Sequence, residues 1–171
     1  MTDAVERKLT TILAADVEGY SRLMAEDEIA AMTALREARA VFARLIARHR
    51  GRIANTAGDG LLADFPSVVE AVHCAIEVQT ELATQNAARE AGADMRFRIG
   101  VHLGDVMVEG GDLLGEGVNL AARLQAMAEP GGILISQAVY DQVRSKVPVS
   151  IEPAGTRRPR NLPEPVPVYR L

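Results

Sequence analysis

The stretch MRFRIGVHLGDVMVEGGD (residues 95–112) constrains the fold more than any other part of the chain, because its apolar and polar residues alternate. Phe97, Ile99, Val101 and Leu103 fall on one side of an extended backbone, and Arg96, Arg98 and His102 on the other. A strand divided in this way belongs in a sheet with a core against one face. Gly104-Asp105 reads as a turn into a second strand, Val106 to Glu109.

The rest of the chain supplies partners for that sheet. Leu9 to Val17 is apolar and β-branched, breaks at Gly19, and reads as a buried strand ending near Asp16. Asp27 to Arg50 carries Ile29, Met32, Leu35, Phe42, Leu45 and Ile46 at helical spacing, with Gly51 as its stop. In RIANTAGDGLLADF (52–65) a Gly-Asp pair sits between two apolar runs, which predicts a β-hairpin bent at Ala57 to Gly60. Ser67 to Glu70 has the pattern of a capping box, opening a helix with Val68, Val72, Ala75, Ile76 and Leu82 on its buried stripe. A helix over about 117–128, a short strand ILIS, a helix over 137–146 and a strand-like VPVYRL follow. Six of the eight prolines lie between Pro148 and Pro167, so that segment is mostly extended or looped. The order β-α-β-β-α-β predicts an α+β fold, a ferredoxin-like split βαβ (palm-like) sandwich with an antiparallel-rich sheet and helices packed on it. The 171 residues suffice for a single domain spanning 1–171, with the Pro-rich segment 148–167 part of it.

Composition removes several classes of function. With 48% hydrophobic and 25% charged residues the chain is globular rather than disordered. A net charge of -4 without a basic face argues against nucleic acid as a partner. Aromatic residues make up only 4%, too few for base-stacking platforms. No apolar run approaches the ~20 residues of a membrane span, and the charged N-terminus does not read as a signal peptide. Cys74 is the lone cysteine, so the expected compartment is the cytoplasm, and its helical position makes it a core filler. His49, His73 and His102 share no metal-ligand spacing. Neither a GxxxxGK[ST] loop nor a GxGxxG after a strand is present.

What remains for chemistry is oxygen and nitrogen from a few polar side chains. Asp16 sits where a buried strand ends and Asp59 at the tip of the following hairpin. Two carboxylates converging on a sheet edge can hold hard divalent cations. Each also reads as an ordinary turn residue, and from these two positions alone both readings stand. Asn119 and Arg123 are four apart on a predicted helix and project on one face, either to hold a sugar oxygen and a phosphate or as a solvated surface. Arg98 is either a phosphate ligand or a surface strand residue, and the RRPR cluster (157–160) reads as a solvated loop by default.

Taken together, these segments resemble the catalytic domain of class III nucleotidyl cyclases over nearly the whole chain. ILAADVEGYSRLM resembles the family's first metal-Asp motif and NTAGDGLLADF the second. FRIGVHLGDV resembles the strand whose Arg meets polyphosphate, and GDLLGEGVNLAARLQAMAEPGGILIS the motif that reads base, ribose and α-phosphate. The resemblance implies that Asp16, Asp59 and the Val17 carbonyl bind two Mg²⁺ or Mn²⁺ ions per site. It implies that backbone amides from Val17 to Ser21, with Arg98 and a tail arginine (Arg160 best, otherwise Arg157 or Arg158), meet the polyphosphate. Asp112, Asn119 and Arg123 of a second subunit would read the base, orient the ribose and stabilise charge on the α-phosphate. The implied protein is a homodimer with shared sites and no membrane segment.

Position 55 departs from the family pattern. Adenylyl cyclases of this class usually have Lys there, paired with the base-reading Asp, whereas this chain has Asn55 and retains Asp112. An Asn amide can donate to adenine N1 while Asp112 accepts from the exocyclic amine; guanine would turn its O6 acceptor toward the same carboxylate. Guanylyl cyclases typically have Glu and Cys at the two positions, and neither is present. The expected activity is therefore adenylate cyclase, a phosphorus–oxygen lyase making cyclic AMP and pyrophosphate from ATP. Asn55 should weaken ATP binding or relax base choice by about 1–3 kcal/mol. The alternatives are a degenerate domain that binds nucleotide or dimerises to regulate a partner, and a guanylate cyclase.

Overall fold

The structure is a computed structural model that describes residues 5–89, 94–157 and 166–171. Its elements run β1 (Glu6–Val17), α1 (Tyr20–Glu26), α2 (Glu28–Arg48), β2 (Arg52–Asn55), β3 (Leu61–Phe65), α3 (Val68–Ala87), β4 (Phe97–Glu109), β5 (Asp112–Leu114), α4 (Glu116–Met127), β6 (Ile133–Ser136), α5 (Gln137–Val143), β7 (Glu152–Arg157) and β8 (Val166–Arg170). The sheet order is β2-β3-β1-β4-β6-β8-β7, with β5 paired to β4 off this path. The first four strands in that order, joined by α2 and α3, make the split βαβ arrangement expected from the sequence. Among the described residues only β4 and β6 pair in parallel; the other pairings are antiparallel.

The alternation of β4 matches the pattern of its sequence. Phe97, Ile99 and Val101 are buried on the face shared with Leu13, Ala15 and Val17 of β1. That face carries the main core, in which α2 contributes Phe42, Leu45 and Ile46 and α3 contributes Val72, Cys74, Ala75 and Val78. Burial, reinforced by Glu77 and Glu70 nearby, pushes the Cys74 thiol up to about 12, which suits a core filler and not a nucleophile. The opposite face bears α4 and a smaller cluster of Ile12, Ala14, Leu62, Val106, Leu113 and Ala121.

Several local expectations change. Gly104-Asp105 is no turn: β4 runs on through it, pairing Gly104 with Thr10 and Asp105 with Leu9. The reversal falls at Gly110-Gly111, both with positive φ (57° and 84°), the backbone a two-residue hairpin needs. Short helix α1 occupies residues read as a break after Gly19. Helix α2 ends at Arg48, and the left-handed residue behind it is Arg50 (φ 64°) rather than Gly51. Ile29 and Met32, which share the helical spacing of Leu35 and Phe42, are 79% and 47% exposed, because Ile29 lies on the side of α2 opposite the buried Ala31, Ala34, Leu35 and Ala38 and Met32 at the edge of that side. The capping box is half made: Ser67 Oγ accepts from Glu70 N–H at 3.2 Å, but the Glu70 carboxylate turns to His49 Nδ1 at 2.7 Å.

Helix α4 sits on β4 with almost no clearance. A Cβ at Gly100 would lie 2.4 Å from Gln125 N and 2.6 Å from Ala121 O. At the other end of the helix, a Cβ at Gly117 would lie 2.7 Å from the Asp105 carbonyl. Gly100→Ala is therefore expected to push α4 off the sheet and lower stability by about 1–3 kcal/mol, read as a fall in urea midpoint at unchanged m-value.

Candidate active site

Asp16 is the penultimate residue of β1, and antiparallel pairing sets Arg98 of β4 directly opposite it. Arg98 Nε donates to Asp16 Oδ1 at 3.1 Å and Nη2 to Oδ2 at 3.0 Å, a bidentate pair with both side chains about three-quarters buried. Arg98 Nη1 also donates to the Ala126 carbonyl at the end of α4, 3.2 Å away. Asp59 reaches the same strand end from the β2–β3 turn, where its Oδ2 accepts from Val17 N–H at 3.0 Å. Gly60 N–H closes that turn on the Ala57 carbonyl at 2.8 Å, and Arg39 of α2 braces it by donating to the Gly58 carbonyl. Nothing in the sequence pattern points to Arg39, since its role depends on a residue 19 positions away.

The Val17 N–H is thus spent on Asp59, and the Glu18 N–H on the Arg96 carbonyl at 2.8 Å. Of the amides from Val17 to Ser21 assigned to polyphosphate, those of Val17 and Glu18 are already bonded. Among the described residues, no group of three or more His, Cys, Asp or Glu is arranged to hold an ion. Asp16 and Asp59 both bring carboxylate oxygens to this strand end.

A second constellation gathers on the α4 face. Asn55 Nδ2 donates to Asp112 Oδ1 at 2.6 Å, and Leu113 N–H donates to the same oxygen at 2.8 Å. This contact depends on an irregularity in β2: Ile53 pairs with Ala63, but Asn55 rather than Ala54 pairs with Leu62. The extra residue puts Asn55 on the face of Leu62, where Asp112 lies; in unbroken register it would face the main core. A carboxylate only accepts, so the amide must present its nitrogen to Asp112, leaving one N–H, the Asn55 Oδ1 and the Asp112 Oδ2 for other partners. Asn55 and Asp112 therefore meet directly, without an ion pair between them.

Asn119 and Arg123 lie on α4, Asn119 exposed and Arg123 partly buried, and among the described residues neither side chain has a partner. Also among the described residues, no hydrogen bond or ion pair joins Asp16, Asp59 or Arg98 to Asn55, Asp112, Asn119 or Arg123. Arg158 and Arg160 lie outside the described residues; Arg157 is in β7, and its side chain also lies outside them.

His102 and Asp64 are further polar groups on this face. Asp64, 4% exposed, is held by Lys8 Nζ at 2.8 Å, Arg52 Nη2 at 3.1 Å and Thr10 Oγ1 at 3.3 Å, which ties β2 and β3 to β1. His102 Nδ1 lies 2.8 Å from Ser136 Oγ, and burial lowers its pKa from 6.5 to about 4. Below pH 6.5 the unfolded chain takes up a proton that the folded protein refuses until about pH 4. Stability from this group should therefore be fully present well above pH 6.5 and fall as pH drops toward 4, by about 3 kcal/mol in all. His102→Gln should flatten the pH dependence of the urea midpoint in that window relative to wild type.

A family model described as the adenylate and guanylate cyclase catalytic domain matches residues 3–156. "Putative adenylate cyclase 3" of Rhizobium meliloti (strain 1021) is 39% identical over 168 residues, covering 98% of this chain and 29% of that protein. An uncharacterized protein of Mycobacterium tuberculosis (strain ATCC 25618 / H37Rv) is 30% identical over 167 residues, covering 94% of this chain and 55% of its own length. The chain thus spans between about a third and about half of these relatives. The crystal structure of an adenylate/guanylate cyclase/hydrolase from Silicibacter pomeroyi superposes with a TM-score of 0.91 at 35% identity, covering 98% of both chains. The adenylyl cyclase CyaB from P. aeruginosa shares the fold, with a TM-score of 0.87 at 22% identity over 98% of this chain and 95% of its own.

Proposed function

The chain belongs to the adenylate and guanylate cyclase catalytic domain family, and from that premise we propose that it converts ATP to 3′,5′-cyclic AMP and pyrophosphate. In this reading two copies form a homodimer, and each of its two sites draws on both. The observation that supports the reading is that the candidate polar groups fall in two clusters, with no hydrogen bond or ion pair between them among the described residues. Asp16 and Asp59 converge on the end of β1, while Asn55 and Asp112 are paired on the α4 face. An isologous dimer gives each half-site the complementary half of a second copy.

Asp16, Asp59 and the Val17 carbonyl fit two Mg²⁺ or Mn²⁺ ions, being hard oxygen donors on one strand end, with phosphate and water completing the ligand set. The ions, when bound, acidify the ribose 3′-hydroxyl and offset charge on the departing pyrophosphate. Arg98 and the amides of Gly19 to Ser21 hold the polyphosphate. The second copy's Asn119 orients the ribose, and its Arg123 stabilises charge on the α-phosphate as the 3′-oxygen attaches and the bond to pyrophosphate breaks. The free Asn55 N–H faces adenine N1 and Asp112 Oδ2 the exocyclic amine, which favours ATP over GTP. The name of the Rhizobium meliloti relative supports the same choice.

The test is cyclic nucleotide formation with Mn²⁺ or Mg²⁺ from ATP and, in parallel, from GTP. Cyclic AMP as the main product is expected; no product from either nucleotide at concentrations that favour dimers would leave a regulatory domain as the better reading. Asp59→Ala and Arg123→Ala should each lose roughly two orders of magnitude of turnover. Mixing the two inactive variants should restore up to about a quarter of wild-type activity, because half the dimers are mixed and each has one intact site. Asn55→Lys should lower the KM for ATP about tenfold by adding an ion pair with Asp112.

A further inference from the structure

The bidentate pair between Arg98 and Asp16 bears on how the proposed cyclase site fills, and its meaning rests on that functional reading. Both oxygens of the Asp16 carboxylate are engaged by one guanidinium, at 3.1 and 3.0 Å. The contact is built into the sheet, since Asp16 and Arg98 are register partners of β1 and β4. The Ala126 carbonyl holds the third nitrogen of the guanidinium, 3.2 Å away, so the group is fixed on two sides. The pair is only about a quarter exposed, which limits screening by solvent and salt.

We propose that Arg98 is an internal counter-ion that occupies Asp16 in place of a divalent cation until a polyphosphate draws it away. A dication approaching Asp16 in the nucleotide-free protein meets a fixed positive charge already on both carboxylate oxygens, and the two cations repel at a few ångströms. A triphosphate reverses the balance, because its oxygens accept the guanidinium bidentately as the carboxylate does. Nucleotide binding therefore frees Asp16 for the cation, and by linkage the cation favours nucleotide to the same degree. Arg98 is in this sense a positioning residue for metal occupancy as well as a phosphate ligand. Asp59, whose Oδ2 is held by a neutral Val17 N–H, has no such guard among the described residues.

The experiment is Mn²⁺ binding without nucleotide, followed by the electron paramagnetic resonance signal of free Mn²⁺ on dimeric protein. Wild type should bind Mn²⁺ weakly, and Arg98→Gln about tenfold more tightly. The double variant Arg98→Gln with Asp16→Asn should lose that gain. Arg98→Lys, which keeps the charge but not the bidentate geometry, should show a smaller gain and serves if the Gln variant does not fold. Unchanged or weaker Mn²⁺ binding in both Arg98 variants would overturn the proposal, as would a gain that survives Asp16→Asn. Cyclisation of ATP by the wild-type protein is scored separately, so failure of the functional reading is distinguishable from failure of the guard.

Discussion

The antiparallel ladder between β1 and β4 is the constraint on which the rest of the molecule depends. It runs from Glu6 opposite Val108 to Val17 opposite Phe97 and forms the middle of the sheet. One face of the ladder, with Leu13, Ala15, Val17, Phe97, Ile99 and Val101, carries the main core. Its other face seats α4 against Gly100, so the helix bearing Asn119 and Arg123 is fixed by a strand that also carries Arg98. A slip of one residue in this ladder would separate Asp16 from Arg98 and turn the core side chains toward α4.

Charge on the α4 face is governed by the same geometry. Burying a carboxylate is tolerable only with partners, and each acidic group here has found its own. Asp64 is held between Lys8 and Arg52, Asp16 against Arg98, and Asp112 by an amide and a backbone N–H. Among the described residues Asp59 takes a single backbone N–H. These differences set how readily each carboxylate can turn to a ligand, and they are invisible to a count of acidic residues.

Much of this was legible in the sequence wherever periodicity or turn chemistry acts over a few residues. The alternation of β4, the Gly-Asp hairpin and the Ser67 cap all appear in the fold. Local signals failed where a distant partner decided the outcome. Gly104-Asp105 has the composition of a turn, but twelve ladder pairs with β1 hold the strand straight through it. Ile29 and Met32 have helical spacing, yet the side of α2 that meets the core is the one carrying Ala31, Ala34, Leu35 and Ala38. The Glu70 carboxylate left its capping role because His49 came within reach from another helix.

By itself the sequence determined the main strands and long helices in their order, the split βαβ class and the residue types at the proposed site, since these depend on patterning and on motif spacing along the chain. Tertiary structure alone decided which of those residues meet. The bulge in β2 turned Asn55 onto the face of Asp112, and the β1–β4 register laid Arg98 across Asp16. The reason is that side-chain facing in a strand reverses with each residue, so one extra residue or one step of register changes the partner. The identities of Asn55 and Asp59 are printed in the chain; what each of them touches is a property of the folded sheet.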